Sequence, residues 1–421
     1  MLHAQIYAQS APMTEQQLLI AGGGIGGLGM ALACAQAGVR VHVLEQAPAF
    51  SEVGAGIQLG PNAVRVLHDW GLGDDLQAVA AFPDRIRVRD AQDGHTLGEL
   101  LLGDHAVRKY GHRYATIHRA DAHQLLHKAV WAHTGVSLHL NERVRSVHET
   151  DSGVSVHTEA GHDHTANALI GCDGLWSVVR KHVTGGPAGM ETPPRFSGHL
   201  AYRGLIDWAD VPATLRTSSV SAWLGTRLHA VHYPVCSGRK YNLVVVVHGQ
   251  PMGNPQSWTH EANRADLLAA LGPVHTDLAG MVDAVPEWKL WPLNDRPPMT
   301  GPYEHAQGRV LLAGDAAHPM RPYLAQGAAM ALEDAWTMGR MLQPLHLAKK
   351  HSRAPDWPAL FQRFANHRWQ RNARVQAGAI RNGQMFHSDG MVRMARNMAM
   401  AMMGERLMDQ PWLYSGPPNV A

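Results

Sequence analysis

The 421-residue chain is poor in cysteine, in net charge and in long apolar runs, and each shortage excludes something. Its three cysteines, Cys34, Cys172 and Cys236, stand far apart and form no C-x-x-C, so neither a zinc site nor a disulfide framework is indicated. Free thiols suit a reducing, cytoplasmic setting. A net charge of +2 with histidines neutral gives no case for nucleic acid or an anionic membrane surface. No apolar run approaches the ~18 residues of a membrane span. Residues 1–16 lack the apolar core of a signal peptide and read as a loose extension, with Met13 an alternative start. There is no H-E-x-x-H and no compact ligand cluster, so the 28 histidines do not spell a metal enzyme. Internal repeats and low-complexity tracts are also missing. With 45% hydrophobic and 17% charged residues, what remains is an ordinary folded protein long enough for about two or three domains.

What is present is organised around Gln17 to Glu45. Leu18-Leu19-Ile20-Ala21 reads as a buried strand that breaks into GGGIGG at 22–27, then a helix to Gln36, a stop at Gly38 and a second strand ending at Glu45. This is strand, turn, helix, strand with the G-x-G-x-x-G glycines at 22, 24 and 27. Gly22 lets the chain turn tightly, Gly24 lets backbone approach a pyrophosphate, and Gly27 lets helix and strand pack closely. The helix N-terminus offers free N–H groups and a partial positive charge to phosphates, and Glu45 stands where an acid meets a ribose. The unit predicts a bound dinucleotide.

Further along, glycines at 54 and 56 would let backbone approach a flat ligand, and Pro61 opens a helix over 62–70. Arg85 to Asp90 alternates like a half-exposed strand, with a turn signal at Asp93-Gly94. Arg119 precedes a helix, where it is a plausible phosphate or ribityl contact. Strands are predicted at 136–140, 144–149, 154–158 and 168–171. Residues 196–250 are strand-like and rich in aromatics, arginine and histidine, suggesting an antiparallel sheet that covers a substrate. Residues 262–290 read as helical. Gly308 to Asp315 is one more strand, followed by a proline-containing loop and helices from Gly327 onward. Eight of the 19 methionines fall between 385 and 408, predicting a helix docked on the body or on a partner subunit, as in a homodimer.

Three separated motifs stand together: GGGIGG at 22–27, GCDGLWSVVR at 171–180 and GDAAHPMRPYLAQGAAMALED at 314–334. The chain thereby resembles, over about residues 17–345, the single-component (group A) FAD-dependent aromatic hydroxylases, the p-hydroxybenzoate and salicylate hydroxylase group. VGAGIQLGPNAVRVLHDWG at 53–71 and LHAVHYP at 228–234 are most similar to 3-hydroxybenzoate 6-hydroxylases. The resemblance implies an α/β fold of the GR2 type. A Rossmann-like FAD-binding domain would comprise 17–80, 110–183 and 299–345. An inserted, mostly antiparallel β-sheet substrate domain would comprise 81–109 and 184–298, and a C-terminal helical region 346–421. It also implies roles. Gly22, Gly24, Gly27 and Glu45 would hold the ADP half of FAD, and Arg119 the phosphate or ribityl region. Gly56 would lie against the cofactor, Asp173 would support the pyrophosphate and nicotinamide, and Asp315 would accept from the ribityl chain. Gly327 and Ala328 would face the pyrimidine edge of the flavin, where the helix dipole meets the charge of the reduced ring. A single nucleotide fingerprint without a redox C-x-x-C excludes the disulfide-reductase plan, so NADH or NADPH would bind transiently.

The implied chemistry is hydroxylation of a small hydroxylated aromatic acid by O2 through a flavin C4a-hydroperoxide, in a site closed to water. Removing the phenolic proton enriches the ring and calls for a base, for which histidine is suited. His232 in HAVHYP is the first candidate, with His229 and His318 as alternates. Tyr233 or Tyr323 would hydrogen-bond the substrate, and Arg203 or Arg321 would meet its carboxylate. One departure matters. Arg321-Pro322-Tyr323 stands where 3-hydroxybenzoate hydroxylases carry Leu-Gln-Tyr, and it resembles the Lys-Pro-His loop of salicylate-like and hydroxynicotinate-hydroxylating members. An N-heteroaromatic acid such as a 6-hydroxynicotinate is therefore an alternative substrate, and a non-oxygenating flavoprotein an alternative of another class.

Overall fold

The computed structural model describes residues 17–50, 55–185, 192–250, 260–347 and 355–420. The proposed extension 1–16 and Gly54 lie outside them. The strand Gln17–Ala21 is apolar and almost wholly buried, as a strand covered on both faces must be. It lies in a six-stranded sheet in the order 306–307, 310–312, 168–171, 17–21, 40–44, 136–139. Its ladders to Arg40–Leu44 and Ala168–Gly171 are parallel, and so is that of Ala168–Gly171 with Val310–Leu312. The helix Ile25–Gln36 packs between this sheet and the helix Gly327–Leu347, burying Leu28, Met30, Leu32, Ala335 and Met338. Gly29 and Gly339 make that approach close, since a Cβ on Gly339 would lie 3.1 Å from that of Ala33.

An eight-stranded sheet forms the second body, in the order 260–261, 289–295, 195–207, 240–248, 228–235, 220–225, 85–90, 96–101. It is antiparallel except where Val220–Gly225 runs parallel to Arg85–Asp90. Two short helices, Arg264–Leu271 and Thr276–Asp283, cover its outer face through Leu267, Leu278 and Met281. The helical expectation for 262–290 therefore fails at its end. Lys289–Asp295 is a strand despite Pro292. Its ladder with Arg195–Asp207 continues through the proline, which stands opposite Leu200.

The C-terminal part is the helix Trp357–Phe386, then Gly390–Met403 and short turns of helix. Ion pairs buried in the core tie the long helix to the nucleotide half. Arg368, fully buried, reaches Glu333 at 2.9 Å and Asp334 at 2.8 Å, and Arg371 reaches Glu333 at 2.7 Å. The methionine-rich helix sits on the strand Thr96–Leu101 through Met400, while Met391, Met394, Met398 and Met402 are exposed. Among the described residues, no helix is long and apolar enough to cross a membrane.

Candidate functional site

A cleft of about 780 Å3 runs between the two bodies. One wall is backbone. Gly22 has φ +100°, a conformation that L side chains rarely adopt, and a Cβ there would lie 2.4 Å from the Cys172 carbonyl oxygen. A Cβ on Gly27 would lie 1.9 Å from the Gly22 oxygen. Gly24 differs: its φ of −73° suits any residue, and a Cβ would meet nothing within 4 Å because it opens on the cleft. Packing gives that position no reason to be bare, whereas a ligand in the cleft would. Glu45 also lines the cleft, its carboxylate accepting from the Gly23 N–H at 2.6 Å and the Ala47 N–H at 2.8 Å. These bonds fix the acid at the tip of its strand while leaving lone pairs for a sugar hydroxyl.

Asp173, Asp315, Arg119, Gly56, Gly327 and Ala328 line the same cleft. Asp173 closes its own turn, accepting from the Ser177 hydroxyl at 2.5 Å and the Val178 N–H at 2.8 Å. Burial raises its carboxyl pKa, against the pull of those bonds. The Gly56 N–H donates to Asn242 at 2.7 Å, stitching the nucleotide half to the sheet. Asp315 has no hydrogen-bond partner among the described residues, and its recessed position raises its pKa, with His318 and Arg119 opposing. It lies by Gly327, where a Cβ would stand 4.0 Å from its Oδ1, at the N-terminus of the long helix Gly327–Leu347. A bare N-terminal turn, an unpartnered carboxylate, and a glycine with open space above it are what a dinucleotide with a ribityl chain would fill. The residues present fit FAD.

The other wall is side chains from the eight-stranded sheet. Along Leu228–Val235, successive residues point to opposite faces, so His229, Val231 and Tyr233 line the cleft while Leu228, Ala230 and His232 do not. The structure does not bring His232 to the cleft. It is 1% exposed beneath the sheet, between the rings of Trp223 and Tyr241, with neither ring nitrogen hydrogen-bonded. Burial first, and Arg89 second, lower its pKa to about 3. His318 is also removed from the cleft, its Nε2 2.5 Å from Asp334. His229 lies in the cleft, with Nδ1 2.6 Å from Nε2 of His387, and burial lowers its pKa to about 3. The imidazole is therefore neutral throughout the working range.

Of the two arginines, Arg321 is committed to Asp295 at 2.5 Å. Arg203 reaches into the cleft over the face of Trp291 at 4.0 Å, and its Nε has no partner. Burial lowers its pKa to about 10, so it stays cationic. Tyr233 lines the cleft, whereas Tyr323 turns its hydroxyl to Nδ1 of His199 at 2.5 Å. Val231, Val244, Val246, Met320 and Pro322 make this end apolar.

Four residues here had no signal in the sequence. Asn242 is an ordinary residue of a valine-rich strand. His199, His248 and His387 come from two strands and the end of a helix some 140 residues further on, and they meet only in the fold.

Comparison with known proteins bears on the same cleft. Residues 15–349 match the family model described as FAD binding domain. The chain is 36% identical over 400 residues to the 3-hydroxybenzoate 6-hydroxylase of Polaromonas naphthalenivorans (strain CJ2), covering 94% of this chain and 95% of that one. It is 35% identical over 363 residues to the 6-hydroxynicotinate 3-monooxygenase of Bordetella bronchiseptica (strain ATCC BAA-588 / NCTC 13252 / RB50), covering 86% and 90%. Among solved structures it is similar to a salicylate hydroxylase substrate complex, at a TM-score of 0.78 and 24% identity over 97% of this chain and all of that one, a likeness of fold.

Proposed function

The chain belongs to the FAD binding domain family, and on that premise we propose that it is an FAD-dependent monooxygenase hydroxylating a small phenolic aromatic acid with NADH or NADPH and O2. The observation that carries this reading is continuity. One cleft joins the glycine turn, Asp315 and the Gly327 helix end to His229, Tyr233 and Arg203. Bound FAD would take a hydride from the nicotinamide and activate dioxygen for transfer of one oxygen atom to the ring.

The chain's own residues do the rest. Gly24 and the amides of the following helix would hold the pyrophosphate, and the amides at Gly327 and Ala328 would face the pyrimidine edge of the flavin, where a helix N-terminus favours negative charge. Arg203 pairs with the substrate carboxylate, its guanidinium plane held by Trp291. Tyr233 hydrogen-bonds a polar group of the ring. His229 accepts the phenolic proton at Nε2, while its Nδ1–H donates to His387 and fixes the tautomer. Phenolate beside imidazolium offsets part of the burial cost that lowers the free imidazole's pKa. The valines, Met320 and Pro322 exclude water from the reacting atoms.

A 3-hydroxybenzoate or salicylate class acid is the first substrate class. A hydroxylated N-heteroaromatic acid is the second, favoured by Pro322 on the cleft wall and by the 6-hydroxynicotinate 3-monooxygenase of Bordetella. The test is NADH and NADPH oxidation by the FAD-loaded protein across a panel of both acid types, with products weighed by mass spectrometry. Stimulated oxidation with a product one oxygen heavier is expected. Reduction of FAD with no oxygenated product from any acid would sink the reading.

A further inference from the structure

Next to His229, among residues that do not line the cleft, lie three more imidazoles. His199 and His248 face each other across paired strands, and His387 caps the helix Trp357–Phe386. Their ring centroids are 4.6 to 5.1 Å apart, and one ligand atom from each lies within 4.8 Å of the others. His248 Nε2 and His387 Nδ1 are 3.0 Å apart. From these positions we infer that His199, His248 and His387 form a site for a divalent transition cation of the zinc class.

Tetrahedral zinc with Zn–N distances of about 2.0–2.1 Å requires nitrogens roughly 3.4 Å apart, within a small ring rotation of the spacing seen. Three imidazoles with no carboxylate select zinc or its first-row neighbours over magnesium or calcium. Burial lowers the pKa of all three, His199 to about 4, helped by neighbouring imidazoles at His199 and His387 and by Arg227 at His248, so each presents the neutral form a metal takes. Two of them already have the outer support that ligating histidines need. Tyr323 holds Nδ1 of His199, leaving Nε2 to offer, and His229 holds Nε2 of His387.

Occupancy would reach the chemistry through a single proton. This consequence, unlike the site itself, rests on His229 being the base. A metal on Nδ1 of His387 forces that ring's one proton to Nε2, which then donates to Nδ1 of His229. The neutral His229 must then carry its own proton on Nε2, the nitrogen that should receive the phenolic proton. Metal binding switches the base off without touching substrate or flavin.

The test uses the full chain loaded with FAD, freed of metal by chelator and dialysed against zinc chloride in the micromolar range. Wild type is compared with His199→Gln, His248→Gln and His387→Gln, each accepted only if it retains flavin. Because His118, Asp121 and Cys236 also lie within ligating distance of one another, the difference between proteins is what counts. Wild type should hold one zinc per chain more than the variants, and product formation should fall at least tenfold with flavin retained and recover with chelator. Equal zinc contents in wild type and variants overturn the site and leave His229 untouched. One extra zinc in wild type with undiminished hydroxylation establishes the site and removes His229 as the base.

Discussion

The two walls of the cleft are built on different principles. The nucleotide wall works through backbone: a turn that only glycine can make at Gly22, an N–H-lined helix end, and a bare Gly24. The substrate wall works through side chains standing on one face of a sheet. There a shift of one residue moves His229 out and His232 in. A backbone site is written in residue types at fixed spacing. A side-chain site is written in which face is which, and this depends on partners far away in sequence.

Filling the nucleotide wall should have the largest effect. Gly24→Val places its side chain in open space, so the fold survives, but the branches occupy the position left for phosphates. FAD affinity should fall at least 100-fold, on the order of 3 kcal/mol, read by flavin retained after gel filtration. Retention equal to wild type would mean the turn cradles nothing. On the other wall, His229→Asn should keep FAD and slow hydroxylation by about 100-fold, the lower end for loss of a positioned base. Single-turnover product formation checks it, and a His229→Asn protein as fast as wild type would remove the base assignment.

The contrast explains how legible the molecule was. The strand–turn–helix–strand from Gln17 to Leu44 and the covering sheet over 195–248 could be read from glycine spacing and apolar runs, because those patterns are local. The positions expected to hold FAD, from Gly22 to Ala328, line the cleft for the same reason, except Gly27, which packs against the Gly22 carbonyl. The motif HAVHYP points to His232 but carries no mark of its face. HAVHYP sits in a strand whose alternation is masked, since both faces are buried and both carry apolar residues. The strand at 289–295 is hidden by Pro292, a residue that argues against a sheet, although its ladder with 195–207 runs through the proline. The His199–His248–His387 group needed the register of two strands and the docking of a helix, which no short pattern encodes.

A smaller effect separates the two candidate arginines. Arg203→Met keeps the stem over Trp291 and removes the charge, so KM for the carboxylated substrate should rise about 10- to 50-fold, worth roughly 1.5–2.5 kcal/mol. The same phenol lacking its carboxylate should be handled alike by variant and wild type in steady-state assays. A matched rise for both compounds would assign Arg203 to the flavin instead.

The smallest effect concerns His232, where the walls differ in stability rather than in rate. Its ring is buried without a hydrogen bond and its folded pKa is about 3, against about 6.5 for an unfolded histidine. A depressed histidine pKa means the unfolded chain binds the proton first as pH falls. The associated stability is complete above pH ~6.5 and lost progressively down to the folded value. At pH 5 the loss from this residue alone is about 2 kcal/mol, from 1.5 pH units at ~1.4 kcal/mol each. His232→Leu keeps an apolar ring-sized group between Trp223 and Tyr241 and removes the titration. Denaturant unfolding of the FAD-loaded protein at pH 8 and pH 5 should therefore show a smaller drop for the variant by that amount, with hydroxylation at pH 8 within about twofold of wild type. An identical drop would mean the unfolded chain gains no proton at this position. A hundredfold loss of hydroxylation would place the base beneath the sheet, on the face turned away from this cleft.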